Sequence, residues 1–299
     1  MFSKLFVAVA IALGVASSVI AAPGTAFPPL SEAVKRDLMA RDPSEYEVYG
    51  LTNTTALGAR APPSNLYGIQ ERCTASRCFS FTFDDGPYTK HQAVADRLNN
   101  EGYKGTFFVN GNNYRCIYDE PQVQALKYSY AQGHEICSHT WSHPHLNSLS
   151  NDQIDGQIQF VEDALYKILG VVPACVRPPY GEANQRVVDH LNNRWGLVVV
   201  NWNFDTQDAS GASVSQSLDV YRGIKAPKHA IVLNHETVST TPDNLLPKAI
   251  NIVKQNGYVP QNVQTVATNL RYNPYKVVGT PGVRDSTWTC AGKPQPGSA

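Results

Sequence analysis

Phe79-Ser80-Phe81-Thr82-Phe83-Asp84-Asp85-Gly86-Pro87 is the stretch on which the fold turns. Aromatics at 79, 81 and 83 alternate with small hydroxyl side chains, which is the pattern of a buried strand. Gly86-Pro87 stops that strand and turns the chain. Two adjacent carboxylates at the mouth of an apolar strand repel each other unless a positive charge sits nearby, and a metal ion lets both stay ionised. A solvated Asp-Asp turn would explain the pair taken alone, so the segments downstream decide.

Outward from this strand the chain alternates strand and helix. His91–Asn100 places Val94, Ala95 and Leu98 on one helical face, and Gly105–Asn110 is a second strand. Pro121–Gln132 is a helix stopped by Gly133, and His134–Ser138 a third strand. Asn151–Leu169 is the longest helix, with Ile154, Ile158, Val161, Leu165 and Ile168 in one stripe, ended by Gly170 and Pro173. Ala174–Val176, Leu197–Trp202 and Ala230–Asn234 are further strands, with helices at Gln185–Arg194, Val214–Gly223 and Leu245–Gln255 and a last short strand around Tyr258–Val259. Such alternation implies parallel pairing and a covered sheet, and about seven units imply a closed or nearly closed βα barrel. In such barrels chemistry collects in the loops that follow the strands. Asp84, Asp85, His139, Arg177, Asp205 and His235 all fall just beyond an expected strand.

Composition sets the frame. The 299 residues carry no formal net charge, with 17% charged and 42% hydrophobic residues, which is ordinary globular usage. Neutrality and the lack of long basic runs argue against a nucleic-acid binder. Residues 1–21 read as a signal peptide: Lys4, then an apolar run over Leu5–Ile20, then small residues before Ala22. The run is short of the roughly 20 residues a membrane span needs, and no other segment could cross. A secreted, extracellular or cell-wall location follows, and the six cysteines suit an oxidising compartment. Six cysteines allow fifteen pairings, and the sequence does not choose among them. Cys290 is placed to staple the tail to the body, while Cys137 and Cys175 could be bridged or remain buried thiols. Residues 22–70 read as a pro-segment or flexible arm with one glycosylation sequon at Asn53 and a dibasic pair at Lys35-Arg36. Residues 71–270 form the catalytic domain, and 271–299 an irregular polar tail.

Four further segments could carry chemistry. His139 and His143, four apart, lie on one face of a helical turn, and Pro144 keeps that turn short. Two imidazoles plus one carboxylate make a three-ligand metal site with open positions. Trp141, between them, reads as a packing residue or a substrate contact. Arg177-Pro178-Pro179-Tyr180-Gly181 is a rigid turn whose guanidinium could clamp a carboxylate and whose Tyr180 amide could receive an oxyanion. Asp205 and Asp208 close one more strand, and Leu233, Asn234 and His235 close another. An oxygenase with two histidines and one carboxylate would be expected on an all-β sandwich, which this alternation excludes.

With these segments in view, the chain resembles the carbohydrate esterase family of polysaccharide deacetylases, the NodB-like group that includes chitin deacetylases. Five blocks carry the resemblance in order: Thr82–Pro87, His139–His143, Arg177–Gly181, Asp205–Asp208 and Leu233–His235. The resemblance implies a distorted (β/α) barrel with about seven strands, and a metal-dependent removal of N-acetyl groups. By position it implies Asp84 as general base, and Asp85, His139 and His143 as ligands of Zn2+ or another divalent ion such as Co2+. Arg177 would orient Asp84, and the Tyr180 amide would hold the oxyanion. His235 would be the general acid, tuned by Asp208 or Asp205, and Leu233 would line the acetyl pocket. The implied partner is chitin or another N-acetylated polysaccharide such as peptidoglycan, with xylan esterases sharing the blocks, and a monomer is expected. One position departs from the pattern: Ala209 follows Asp208 where the family usually has tryptophan, which bears on the groove around the acid.

Overall fold

The structure, a computed structural model, describes residues 62–299. The expected signal peptide, the dibasic pair, Asn53 and most of the expected arm lie outside the described residues.

Eight strands form one parallel sheet: β1 (Ile69–Gln70), β2 (Phe79–Gly86), β3 (Gly105–Val109), β4 (Glu135–Ser138), β6 (Cys175–Val176), β7 (Val198–Val200), β8 (Phe204–Asp205) and β9 (Ala230–His235). A ninth and a tenth, β5 (Val171–Pro173) and β10 (Tyr275–Val278), pair antiparallel with each other. The helices are α1 (His91–Asn99), α2 (Glu120–Ala131), α3 (Asn151–Leu169), α4 (Gln185–Asn193), α5 (Val214–Gly223), α6 (Leu246–Gln255) and the short α7 (Val266–Leu270). No helix among the described residues is long and apolar enough to cross a membrane.

The large sheet runs β1-β7-β6-β4-β3-β2-β9-β8. Its shape follows from chain length. In a flat sheet the six spacings from β7 to β8 would amount to about 29 Å. Only Asn201, Trp202 and Asn203 connect the two strands, and four Cα steps reach about 14 Å at most. The sheet therefore curls on itself, and the Asn203 amide, leaving this short connection, starts the β8–β9 ladder by donating to the Ile231 carbonyl at 3.2 Å. This is the expected distorted (β/α) barrel.

Alternation along each strand then sorts side chains. Phe79, Phe81 and Phe83 face outward into a cluster with Val94, Leu98, Tyr221, Ala249 and Val253 from the surrounding helices. Ser80, Thr82 and Asp84, on the opposite face, share the interior with Phe108, Cys137, Cys175, Val200 and Ile231. Burying one such aromatic or aliphatic side chain stabilises the fold by about 1.5–3 kcal/mol. α3 starts with a capping box, in which the Gln153 amide donates to Ser150 Oγ and the Ser150 amide to Gln153 Oε1. It ends at Gly170, whose φ of 74° and 2.6 Å gap from a notional Cβ to the Gly279 carbonyl leave no room for a side chain.

Three disulfides pair Cys73 with Cys78, Cys116 with Cys290 and Cys137 with Cys175. Cys290 does staple the tail to the body, and the two interior cysteines are bridged. Two expectations fail. Tyr258–Val259 is not a strand: Tyr258 is buried with its ring 5.1 Å from that of Phe79, and Pro260 then removes a donor. The tail is not irregular throughout, since Tyr275–Val278 pairs with β5 and Trp288 is buried. The sheet also reaches two residues before position 71, because Ile69 and Gln70 pair with Val199 and Val200.

Candidate active site

The carboxyl ends of the strands converge on one mouth. Asp84 is the register partner of His235 on the neighbouring strand, which sets the two groups side by side. Asp85 follows at φ 71°, a left-handed conformation that swings its carboxylate across the mouth. There it meets His143 Nε2 at 3.5 Å and His139 Nε2 at 3.7 Å. One ligand atom from each of the three residues lies within 4.8 Å of the others.

Five of the seven non-glycine residues with positive φ among those described belong to this mouth: Asp85, Thr140, His143, Tyr180 and Gln207. Such conformations are costly and persist only where the surroundings enforce them.

Arg177 anchors the interior beneath. It is fully buried and donates from Nη1 to Asp84 Oδ1 at 2.6 Å and to Thr82 Oγ1 at 2.9 Å. Its Nε and Nη2 donate to the carbonyls of Val200 and Asn201, and the guanidinium lies 4.0 Å from the ring centre of Phe108. Burial raises the Asp84 carboxyl above its ordinary value, and the charges of Arg177, His235 and His143 offset that rise only in part.

The two sets of histidines differ in their partners. His139 Nδ1–H donates to the Arg177 carbonyl at 2.8 Å, which fixes the tautomer and leaves Nε2 bare toward Asp85. Burial holds both His139 and His143 down at about 3. Burial also raises Asp85 to about 7, eased by His235 and reinforced by Asp84. One carboxylate beside two imidazoles kept neutral by burial is a donor set whose chemistry fits a divalent ion. His235 is the opposite case. Its Nδ1–H donates to Asp208 Oδ1 at 2.7 Å and its amide to Asp208 Oδ2 at 2.8 Å. Burial lowers its pKa, but Asp208, Asp84 and Asp85 together raise it to about 9. Asp208 is itself held below the carboxylate range: burial opposes this, and the hydrogen bonds from His235 and Thr241 outweigh it.

Of the two acids expected near His235, Asp208 is the partner and Asp205 is not. Asp205 accepts from the Gln207 amide and makes no contact with the histidine. Trp141 is also corrected. It is fully buried, its ring packs 5.5 Å from Phe160, and its Nε1–H donates to the Pro294 carbonyl, so it does not line the mouth. Tyr180 stands at the rim, half exposed, with its ring stacked on that of His145 at 3.9 Å and edge-on to that of His143 at 4.6 Å. The turn around it is closed by the amides of Gly181 and Glu182, neither of which uses the Tyr180 N–H. Leu233 is buried two positions before His235, hence on the same face of β9.

Sequence reading missed Asn110 and Asn113. Asn110 Nδ2 donates to the carbonyls of His139 and Thr140, and Asn113 Nδ2 to Asp85 Oδ1 at 3.3 Å. Asn110 was findable, since it follows β3 directly as His139 follows β4. A second cluster of potential ligands, Glu135 with Cys137 and Cys175, holds no cation site because its two sulfurs are bonded to each other.

A family model described as polysaccharide deacetylase matches residues 71–200. The chain is 36% identical over 209 residues to a chitin deacetylase of Pestalotiopsis sp, covering 69% of each chain. It is 30% identical over 237 residues to a chitin deacetylase of Colletotrichum lindemuthianum, covering 76% of this chain and 93% of that one. The solved structure of the chitin deacetylase from that fungal pathogen superposes with a TM-score of 0.65 at 29% identity, covering 70% of this chain and 95% of the other.

Proposed function

The chain belongs to the polysaccharide deacetylase family, and from that premise we propose that it is a secreted, metal-dependent hydrolase that removes N-acetyl groups from chitin or chitin oligomers, releasing acetate and leaving glucosamine units. The observation that carries this reading is the placement of Asp84, beside His235 on the next strand and next to the Asp85–His139–His143 set. Chitin is favoured over other acetylated polymers because the two relatives described above are chitin deacetylases.

A divalent ion, zinc or another such as cobalt, held by Asp85, His139 and His143 would supply Lewis-acid polarisation of the acetyl carbonyl and acidify water. The chain's own groups do the rest. Asp84, oriented by Arg177 and acting in its carboxylate form, takes the proton as water oxygen bonds to the amide carbon. The Tyr180 N–H receives the developing oxyanion. When the C–N bond breaks, the nitrogen pair needs a proton because an amine is a poor anionic leaving group. His235 supplies it from Nε2, its Nδ1 being committed to Asp208. Leu233 lines the pocket for the acetyl methyl, and Tyr180 with His145 forms part of the groove wall. Ala209, where the family resemblance implies a tryptophan, would leave that wall lower beside the acid.

The test is acetate release by purified protein from chitin oligomers, xylan and peptidoglycan fragments, with and without a chelator. Release from chitin oligomers that the chelator abolishes and added Zn2+ or Co2+ restores is expected. Release only from xylan or peptidoglycan, or release indifferent to chelation, overturns the reading.

A further inference from the structure

The loop that carries His139 and His143 is held from outside by the C-terminal segment. Thr140 and His143 have φ of 69° and 59°, conformations that a non-glycine loop does not keep by itself. Trp141 and Ser142, the residues between those two strained positions, are fully buried, and residues of the 290–298 segment hydrogen-bond to both. The Pro294 carbonyl accepts from Trp141 Nε1 and from Asn112 Nδ2, each at 3.0 Å. The Gly297 amide donates to the Ser142 carbonyl. The Ser298 carbonyl accepts from Ser142 Oγ and from Gln157 Nε2. Lys293 closes the set: its ammonium lies 5.6 Å from the ring centre of Trp141 and 5.8 Å from those of Tyr118 and Phe160, an aromatic cage for a cation.

Trp141 is also fixed on its other side. A Cβ at Gly111 would come within 1.9 Å of the indole, and the Asn112 amide donates to the Trp141 carbonyl at 2.6 Å. Cys290, just ahead of the segment, is bonded to Cys116 in the same stretch as Gly111 and Asn112. The indole is therefore gripped between two pieces of chain that a covalent bond ties together. Neither piece contributes a ligand.

We propose that residues 290–298 are a clasp that holds the His139–His143 loop in its ligating shape, with Lys293 as a positioning residue that acts through Trp141. The inference rests on the reading of Asp85, His139 and His143 as the metal set. It assigns the C-terminal segment a task that packing alone would not require: setting the affinity and geometry of the ion.

The experiment uses the full chain and needs no substrate. Metal dissociation constants are measured by competition with a chromogenic chelator, the cobalt absorption spectrum reports ligand geometry, and the melting temperature of the metal-free protein reports packing. Lys293→Met is expected to weaken metal binding about 10-fold or more, the usual size of an outer-partner effect, and to alter the cobalt spectrum. Lys293→Arg, which keeps the cation in the cage, is expected to restore both. A Cys116→Ser/Cys290→Ser pair is expected to weaken binding further. If Lys293→Met lowers the melting temperature yet leaves metal affinity and spectrum unchanged, the tail is packing only and the clasp is overturned. The same holds if both readouts are unchanged. Should the cysteine pair fail to fold, the Lys293 variants decide by themselves. Failure of the wild-type chain to bind either metal would sink the metal reading instead, before any variant is compared.

Discussion

Asp85 with His139 and His143 on one side of the mouth, and Asp208 with His235 on the other, are built from the same two residue types, yet they are set in opposite protonation states. Both groups of histidines are largely buried, and burial alone drives an imidazole toward its neutral form. His139 and His143 follow that rule and sit at about 3. His235 defies it and sits at about 9. The difference lies in what Nδ1 touches. For His139 it is the neutral carbonyl of Arg177, and for His235 it is the carboxylate of Asp208 at 2.7 Å. One contact thus separates a histidine fit to hold a cation from one fit to hand over a proton.

The contrast can be broken most sharply at the acid between the two sides. Asp84→Asn keeps the Arg177 cradle nearly isosteric and leaves the metal set untouched. The variant should bind metal as the wild type does and release acetate at least ~100-fold more slowly, the usual size of a general-base contribution. Near-wild-type release would remove Asp84 from the role.

The second test reverses the sign on one side. His235 is raised above the ordinary imidazole value, so its proton is retained as pH rises and is lost only near 9 in the metal-free protein. Asp208→Asn removes the charge behind that shift. Titration of the metal-free variant by NMR should show His235 losing its proton near the ordinary ~6.5, and the alkaline limb of the acetate-release profile should move to lower pH. His139 and His143 should show no titration above about pH 4 in either protein. A His235 titration unmoved by the substitution would mean that Asp208 does not set it.

The smallest effect is expected at Asp205. It lies three residues from Asp208 but binds only the Gln207 amide. Asp205→Asn should change the rate by less than about 2-fold, an effect typical of a surface substitution away from special features. A loss comparable to that of Asp208→Asn would show that both acids serve the histidine.

The sequence displays some of this plainly and hides the rest for physical reasons. β2 is legible because a strand with a helix-facing side and an interior side must alternate, and Phe79, Phe81 and Phe83 do so against Ser80, Thr82 and Asp84. α3 is legible to the residue because its stripe, capping box and left-handed Gly170 agree. The choice between Asp205 and Asp208 was illegible, since it depends on Gln207 adopting φ 53° and so turning Asp208 back under β9. β8 and β10 were missed because strands of two and four residues carry no periodicity. Their pairing is fixed by partners 28 and about 100 residues away, Val232 and Pro173 to Val171. Trp141 pointed both ways until the tail that covers it was placed.

The central position of β2 has one more consequence. Its neighbour on one side, β3, is synthesised soon after it, but the other neighbour, β9, begins only at Ala230. A chain emerging from the ribosome with fewer residues than that leaves one flank of its most aromatic strand without backbone partners. Such a flank is a template for pairing with other chains, and long-range parallel pairings form slowly. Pairing of that flank therefore waits on β9, whose late arrival also completes the mouth by setting His235 beside Asp84.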